Sequence, residues 1–263
     1  MAAFLNPVLR ISAWLHAAAL GGALAYPPAW PIAAGTVVAN HLALMAGGLW
    51  PRSRWLGENW TTLPVASRTR GEIALTLDDG PDPEVTPRVL DLLEAAGARA
   101  SFFVVGTRLA AHQALGREIL ARGHTLENHS QHHRHTFSLL GPSQLRREVA
   151  EAQRSIAAVG GDARFFRAPA GLRNPFLDGA LRTAGLKLVS WTRRGFDTVT
   201  PDAARVHARL RRDLGAGDIL LLHDGHAART PGGHAVVLEV LPVLLQDLAR
   251  AGLRSVSLPM AGA

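Results

Sequence analysis

The chain has 263 residues, 48% of them hydrophobic, no cysteine, and a formal charge of +7 carried almost wholly by arginine, since Lys187 is its only lysine. That length and apolar content suit a globular core with some membrane contact and exclude a disordered chain. The missing cysteine excludes disulfides and thiolate metal sites, so any metal must sit on His and carboxylate, and no basic cluster with interleaved aromatics points to a nucleic acid partner.

The chain begins with two apolar runs, Val8 to Tyr26 and Trp30 to Trp50, separated only by Pro27-Pro28-Ala29. Each run is about 20 residues, enough to cross the hydrocarbon core as a helix. Together they predict a membrane hairpin over residues 1–50, in contact with lipid through residues 8–50, with Tyr26, Trp30 and Trp50 near its ends where aromatic belts lie. A cleaved signal peptide accounts for the first run and leaves the second unexplained. Arg10, His16, Asn40 and His41 make the spans imperfect, and a helical pair docked on a soluble domain is the alternative.

A linker over residues 51–70, with Arg52, Arg54, Arg68 and Arg70, leads to a domain over residues 71–263 in which strand and helix alternate. The expected strands are Glu72 to Leu77, Ala100 to Val105, Thr125 to Asn128, Arg164 to Arg167, Lys187 to Trp191, Asp218 to Leu222 and Arg254 to Leu258. Thr86-Pro87 and Thr200-Pro201 predict helix starts with a hydroxyl N-cap followed by proline, and Gly97, Gly123, Gly160, Gly185 and Gly252 predict C-terminal caps. Seven strands alternating with six helices predict an α/β fold with a parallel sheet, which closes readily into a barrel.

The first strand ends in Asp78-Asp79-Gly80-Pro81. Adjacent carboxylates at a strand end repel and lose hydration, so the pair needs a cation or hydrogen-bond donors. After the third strand, four histidines stand within seven residues, and His129 and His133 are spaced i, i+4. In one helical turn that spacing puts both rings on one face, where with one carboxylate of the pair they form a three-ligand site with a coordination position left open, the pattern of a catalytic zinc. Other candidate groups fall at later strand ends: Arg167-Ala168-Pro169-Ala170-Gly171 after the fourth, Trp191 with Asp197 at the fifth, and Leu221-Leu222-His223 at the sixth. Barrel active sites are assembled from such ends.

The order Thr-Leu-Asp-Asp-Gly-Pro, Asn-His-Ser-x-x-His, Arg-x-Pro-x-Gly, Trp with a following Asp, and Leu-x-His resembles the polysaccharide deacetylase family, carbohydrate esterase family 4, over roughly Gly71 to Leu258. The resemblance implies a distorted (β/α)7 barrel and metal-dependent removal of acyl groups from amino sugars. It implies Asp78 as catalytic base, Asp79, His129 and His133 as metal ligands, Arg167 as the group orienting Asp78, His223 as general acid and Asp197 as its tether. Pro169, Ala170, Gly171, Trp191 and Leu221 would line the substrate groove. Two groove aromatics common in the family are replaced here, by Ala170 and Thr198.

The expected cofactor is Zn²⁺ or another borderline divalent ion such as Co²⁺, between which ligand softness does not choose. The expected substrate is an acylated amino sugar in a glycan or glycolipid. A deformylase or deacetylase of a lipid-linked monosaccharide is the alternative favoured by the missing aromatics, and an inactive glycan-binding barrel is the alternative of another class. Positive residues flank the outer ends of the hairpin while its turn is uncharged, which predicts a plasma-membrane protein with its catalytic domain on the cytoplasmic side.

Overall fold

A computed structural model describes residues 6–262. The chain enters as α1 (Pro7–Ala25) and α2 (Trp30–Leu49), joined by the 3-10 turn Pro27–Ala29. Asn6 caps α1, its side chain accepting from the Val8 amide at 2.7 Å, and Pro7 occupies the first helical position, where no N–H is needed. Both helices are long and apolar enough to cross a membrane, and their large side chains face outward, with Trp14 75% exposed. The polar residues that interrupt the apolar runs meet across the helix pair. Asn40 Nδ2 donates to Ser12 Oγ at 2.7 Å, and the rings of His16 and His41 meet edge to face at 5.0 Å. Such pairing gives these polar groups partners on otherwise apolar helices.

After α3 (Val65–Thr69) come β1 (Glu72–Asp78), α4 (Thr86–Ala95), β2 (Ala100–Val104), α5 (Gly106–Ala111), α6 (Gln113–Ala121), β3 (Thr125–Asn128), α7 (Pro142–Ala157), β4 (Phe165–Phe166), α8 (Leu177–Thr183), β5 (Lys187–Leu188) and β6 (Arg193–Arg194). The chain ends with α9 (Ala203–Arg211), β7 (Ile219–His223), α10 (Val236–Arg250), β8 (Arg254–Ser255) and α11 (Leu258–Ala261). The sheet is parallel in the order β5-β4-β3-β2-β1-β7-β6, with β8 beside the start of β1. The expected parallel α/β architecture is thus present as an open half-barrel, because β5 and β6, consecutive in the chain, lie at opposite edges.

Several local expectations need correction. The strands expected at Arg164 to Arg167 and Lys187 to Trp191 pair over only two residues each, and an additional short strand, β6, follows. The last expected strand stops at Ser255, since Ser257 and Leu258 already open a helix with Pro259 in its first turn. Neither threonine caps its helix. The Thr86 hydroxyl donates instead to Asp224 Oδ2 at 2.6 Å, and α9 is capped by Asp202, whose carboxylate accepts from the Arg205 amide. The five glycines expected at helix ends all have positive φ, as C-terminal caps require.

Alternation along the strands builds the site. Ile73, Leu75 and Leu77 pack outward into the large core beneath the helices, whereas Ala74 joins a smaller inner cluster with Phe103, Phe165, Val189 and Ile219. A two-residue period therefore turns Thr76 and Asp78 inward above Ala74, and likewise Glu127 and His129 on β3, Arg167 above Phe165, and Leu221 and His223 above Ile219. The apolar inner cluster fills the bottom of the half-barrel, and the polar groups crown it.

Candidate active site

Asp78 and Asp79 terminate β1 and are buried, with Asp79 in the left-handed region at φ 71°. That turn separates the two carboxylates into different environments. Asp78 Oδ1 accepts from Arg167 Nη1 at 2.6 Å, and the same nitrogen donates to Thr76 Oγ1 at 2.8 Å. Arg167 Nη2 donates to the Ser190 carbonyl at 2.8 Å, and the guanidinium lies 4.1 Å from the Phe103 ring centroid. A fully buried arginine clamped at three points fixes the direction of Asp78.

Asp79 faces imidazoles instead. Its Oδ1 lies 3.3 Å from His129 Nε2 and 3.1 Å from His133 Nε2, and it has no hydrogen-bond partner. Within Asp79, His129 and His133, one potential ligand atom from each lies within 4.8 Å of the others. The expected helical turn is absent. His129 and His133 converge through a loop in which Ser130 and His133 both have positive φ. Asn128 Oδ1 accepts from the Ser130 amide and Ser130 Oγ from the His133 amide, so side chains brace a path that helix hydrogen bonds would otherwise provide.

The residues fit a divalent cation. His129 Nδ1 donates to the Arg167 carbonyl at 2.8 Å, which leaves the Nε2 lone pair directed at Asp79. Burial and the neighbouring His129 push His133 down to about 4, so it is neutral and able to ligate at neutral pH. Burial works against the charge of Asp79, yet His129 and His226 hold its carboxyl far below the usual range. His129 in turn is raised against its own burial by Asp78 and Asp79. The shifts of Asp79 and His129 express one demand for positive charge beside the carboxylates, which a cation on the three side chains satisfies.

On the opposite wall, His223 Nδ1 meets Asp197 Oδ1 at 2.9 Å, and Asp197 Oδ2 accepts from the His223 amide at 2.7 Å. Burial opposes protonation of His223, but the Asp197 hydrogen bond and charge outweigh it and raise its pKa. Gly225 is required nearby, because a Cβ there would collide with the Asp79 carbonyl. Asp78, Asp79, His129, His133, Ala170, Gly171, Trp191, Leu221 and His223 line one cavity of about 450 Å³. Arg167 and Asp197 are buried behind it, and Pro169 is buried at the start of the turn that carries Ala170.

Sequence reasoning missed three titratable or charged residues of this cavity. His226 Nδ1 lies 3.6 Å from Asp79 Oδ2 and its Nε2 lies 2.6 Å from Arg108 Nη2. Arg108 Nη1 donates to the Asp79 carbonyl at 3.0 Å. Arg194 stacks over Phe196 and Trp191, at 4.9 and 5.3 Å from the ring centroids. Neither arginine has a carboxylate partner among the described residues. The proximity of His226 to His223 was a usable signal, whereas single arginines in so arginine-rich a chain carry none.

The chain is similar to several known proteins over the half-barrel. The polysaccharide deacetylase family pattern matches residues 66–189. A peptidoglycan-N-acetylglucosamine deacetylase of Bacillus cereus is 31% identical over 187 residues, covering 70% of this chain and 85% of that protein. A chitooligosaccharide deacetylase of a Bradyrhizobium species is 36% identical over 156 residues, covering 59% of this chain and 71% of the relative. Among solved structures, the family 4 carbohydrate esterase from Streptomyces lividans in complex with acetate superposes with a TM-score of 0.64 at 32% identity, covering 70% of this chain and 91% of that one.

Proposed function

Because this chain belongs to the polysaccharide deacetylase family, whose members are carbohydrate deacetylases with a general dependence on metal, we propose that it hydrolyses the N-acyl group of an amino sugar at the cavity formed by Asp78, Asp79, His129, His133 and His223. Asp79, His129 and His133 would hold a divalent cation, Zn²⁺ or another borderline ion such as Co²⁺. When bound, the cation supplies Lewis acidity toward the acyl carbonyl and toward water. Asp78, oriented by Arg167, takes the proton of the attacking water. The backbone N–H of Ala170 donates to the developing oxyanion, and a single preorganised donor of this kind contributes about 3 kcal/mol. An amine leaves poorly unless protonated, and His223, its Nδ1 engaged by Asp197, delivers that proton from Nε2.

The observation that carries this reading is the division between the two aspartates, one on an arginine and the other on two imidazoles. It also disfavours an inactive glycan-binding barrel, which has no need to keep base, acid and ligands in register. The direct test is acetate and formate release from a panel of N-acylated amino sugars by the purified full chain. Release that depends on metal supports the reading, and no release from any member overturns it.

A lipid-linked monosaccharide is favoured over a long polymer by three observations. Pro51, at the foot of the hairpin, packs on Gly171 of the cavity wall, where a Cβ would lie 2.8 Å from the proline ring. Ala170 and Thr198 offer no aromatic platform for a chain of sugars. Arg108 and Arg194 line the same cavity without carboxylate partners, as an anionic group on the substrate would require. Arg52 and Arg54 beyond the hairpin, with an uncharged turn between the helices, support a catalytic domain on the cytoplasmic side.

A further inference from the structure

A second cavity, of about 710 Å³, lies where the hairpin meets the catalytic domain. Its walls are largely apolar, with Val8 from the first turn of α1, Leu56, Leu177, Leu181 and Leu188 among them. Arg173 also lines it and is only 5% exposed. Its Nη2 donates to the Ser53 carbonyl, but its Nε and Nη1 have no hydrogen-bond partner, and no carboxylate lies within ion-pair reach of it among the described residues. Burial lowers its pKa to about 10, which leaves it charged at neutral pH. A buried guanidinium with two idle donors is costly unless an anion meets it. Arg54 and Lys187, both exposed, line the same cavity, and so does Arg182, which is paired with Asp178. With Glu58 the only other acid, cationic groups outnumber acidic ones four to two.

A small soluble anion has no use for walls of leucine and valine, and a neutral lipid has none for Arg173. An amphiphile with a phosphate satisfies both, and it is at hand where an apolar hairpin enters a bilayer. We propose that this cavity binds an anionic membrane phospholipid, its phosphate drawn to the positive charge that Arg173, Arg54 and Lys187 place on the cavity wall and an acyl chain lying along Val8, Leu56, Leu181 and Leu188. The proposal rests on the hairpin lying in a membrane and goes beyond the deacetylase reading. Leu172 alone separates Arg173 from Gly171, so the lipid sits beside the wall of the catalytic cavity.

The test is native mass spectrometry of the full chain in a non-ionic detergent, titrated separately with phosphatidylglycerol, phosphatidylcholine and inorganic phosphate. Phosphatidylglycerol should bind about tenfold or more tightly than phosphatidylcholine, as a charge-assisted site requires, and millimolar phosphate should not displace it. Arg173→Gln should abolish that preference. Because a buried arginine can be needed for folding, the exposed pair Arg54→Gln and Lys187→Gln provides a second arm and should reduce it several-fold. Equal binding of the two lipids, full displacement by phosphate, or an unchanged preference in the paired variant would each overturn the proposal. Acetate release from the same preparations separates the two readings: an active enzyme without lipid preference loses this inference and keeps its proposed function.

Discussion

Ser130 and His133 show how much of a metal site lies in backbone that spacing does not reveal. The i, i+4 histidines suggested a helix, but the rings meet because two residues with positive φ fold the loop back, held by Asn128 and the Ser130 hydroxyl. Ser130→Gly keeps the positive-φ conformation accessible and removes the side chain whose hydroxyl accepts from the His133 amide. It should weaken metal binding by about tenfold, the low end of the effect of losing a group that orients a ligand, as measured by competition with a chromogenic chelator. An unchanged affinity would mean that the turn alone positions His133. At the other wall, His223→Ala should reduce turnover on an amide substrate by about 10²- to 10⁴-fold while leaving the metal bound. A near-normal rate would remove His223 from proton transfer. The identities of these residues were legible in sequence because each ends a strand of recognisable type. Arg108, Arg194 and His226 were not, since their roles come from packing between segments distant in the chain.

Apolar runs ending in polar groups account for most of what sequence could say about the elements. They mark β1, β2, β3 and β7, whereas the two-residue pairings of β4 and β5 and the whole of β6 leave no such mark. Such short strands are defined by their neighbours, as in the Arg193 and Arg194 pairing with β7, and carry no periodicity of their own. At the start of β3, His124 is buried and its Nδ1 accepts from the Ala100 amide at 3.2 Å. Burial, with the charges of Arg99 and Arg122, pushes it down to about 4 from an ordinary 6.5. A depressed pKa means that the folded state binds this proton less readily than the unfolded state. The stabilisation is therefore complete above pH 6.5 and is lost as pH falls toward 4, a change of about 3 kcal/mol. Thermal unfolding between pH 7 and 4 should show a shallower acid-side decline for His124→Gln than for the wild-type chain. Parallel profiles would contradict this account.

The hairpin and the half-barrel form one arrangement in which the foot of the hairpin meets the mouth of the site. Gly48 accepts the Arg173 amide at 3.1 Å, the Ser190 hydroxyl donates to the Pro51 carbonyl, and Trp60 pairs with Val189 at the sheet edge. If the hairpin spans a membrane as proposed, a substrate attached to that membrane would need little travel to reach Asp78. A reporter fused to the C-terminus should be active only as a cytoplasmic marker. Periplasmic activity would instead favour an exported polysaccharide as substrate. The proposed function rests on the separation of two adjacent carboxylates into base and ligand. Zinc content of the purified Asp78→Asn and Asp79→Asn proteins, determined by inductively coupled plasma mass spectrometry, tests that separation most directly. The account predicts one equivalent retained by Asp78→Asn and essentially none by Asp79→Asn; equal zinc in both variants, whether full or lost, would contradict it.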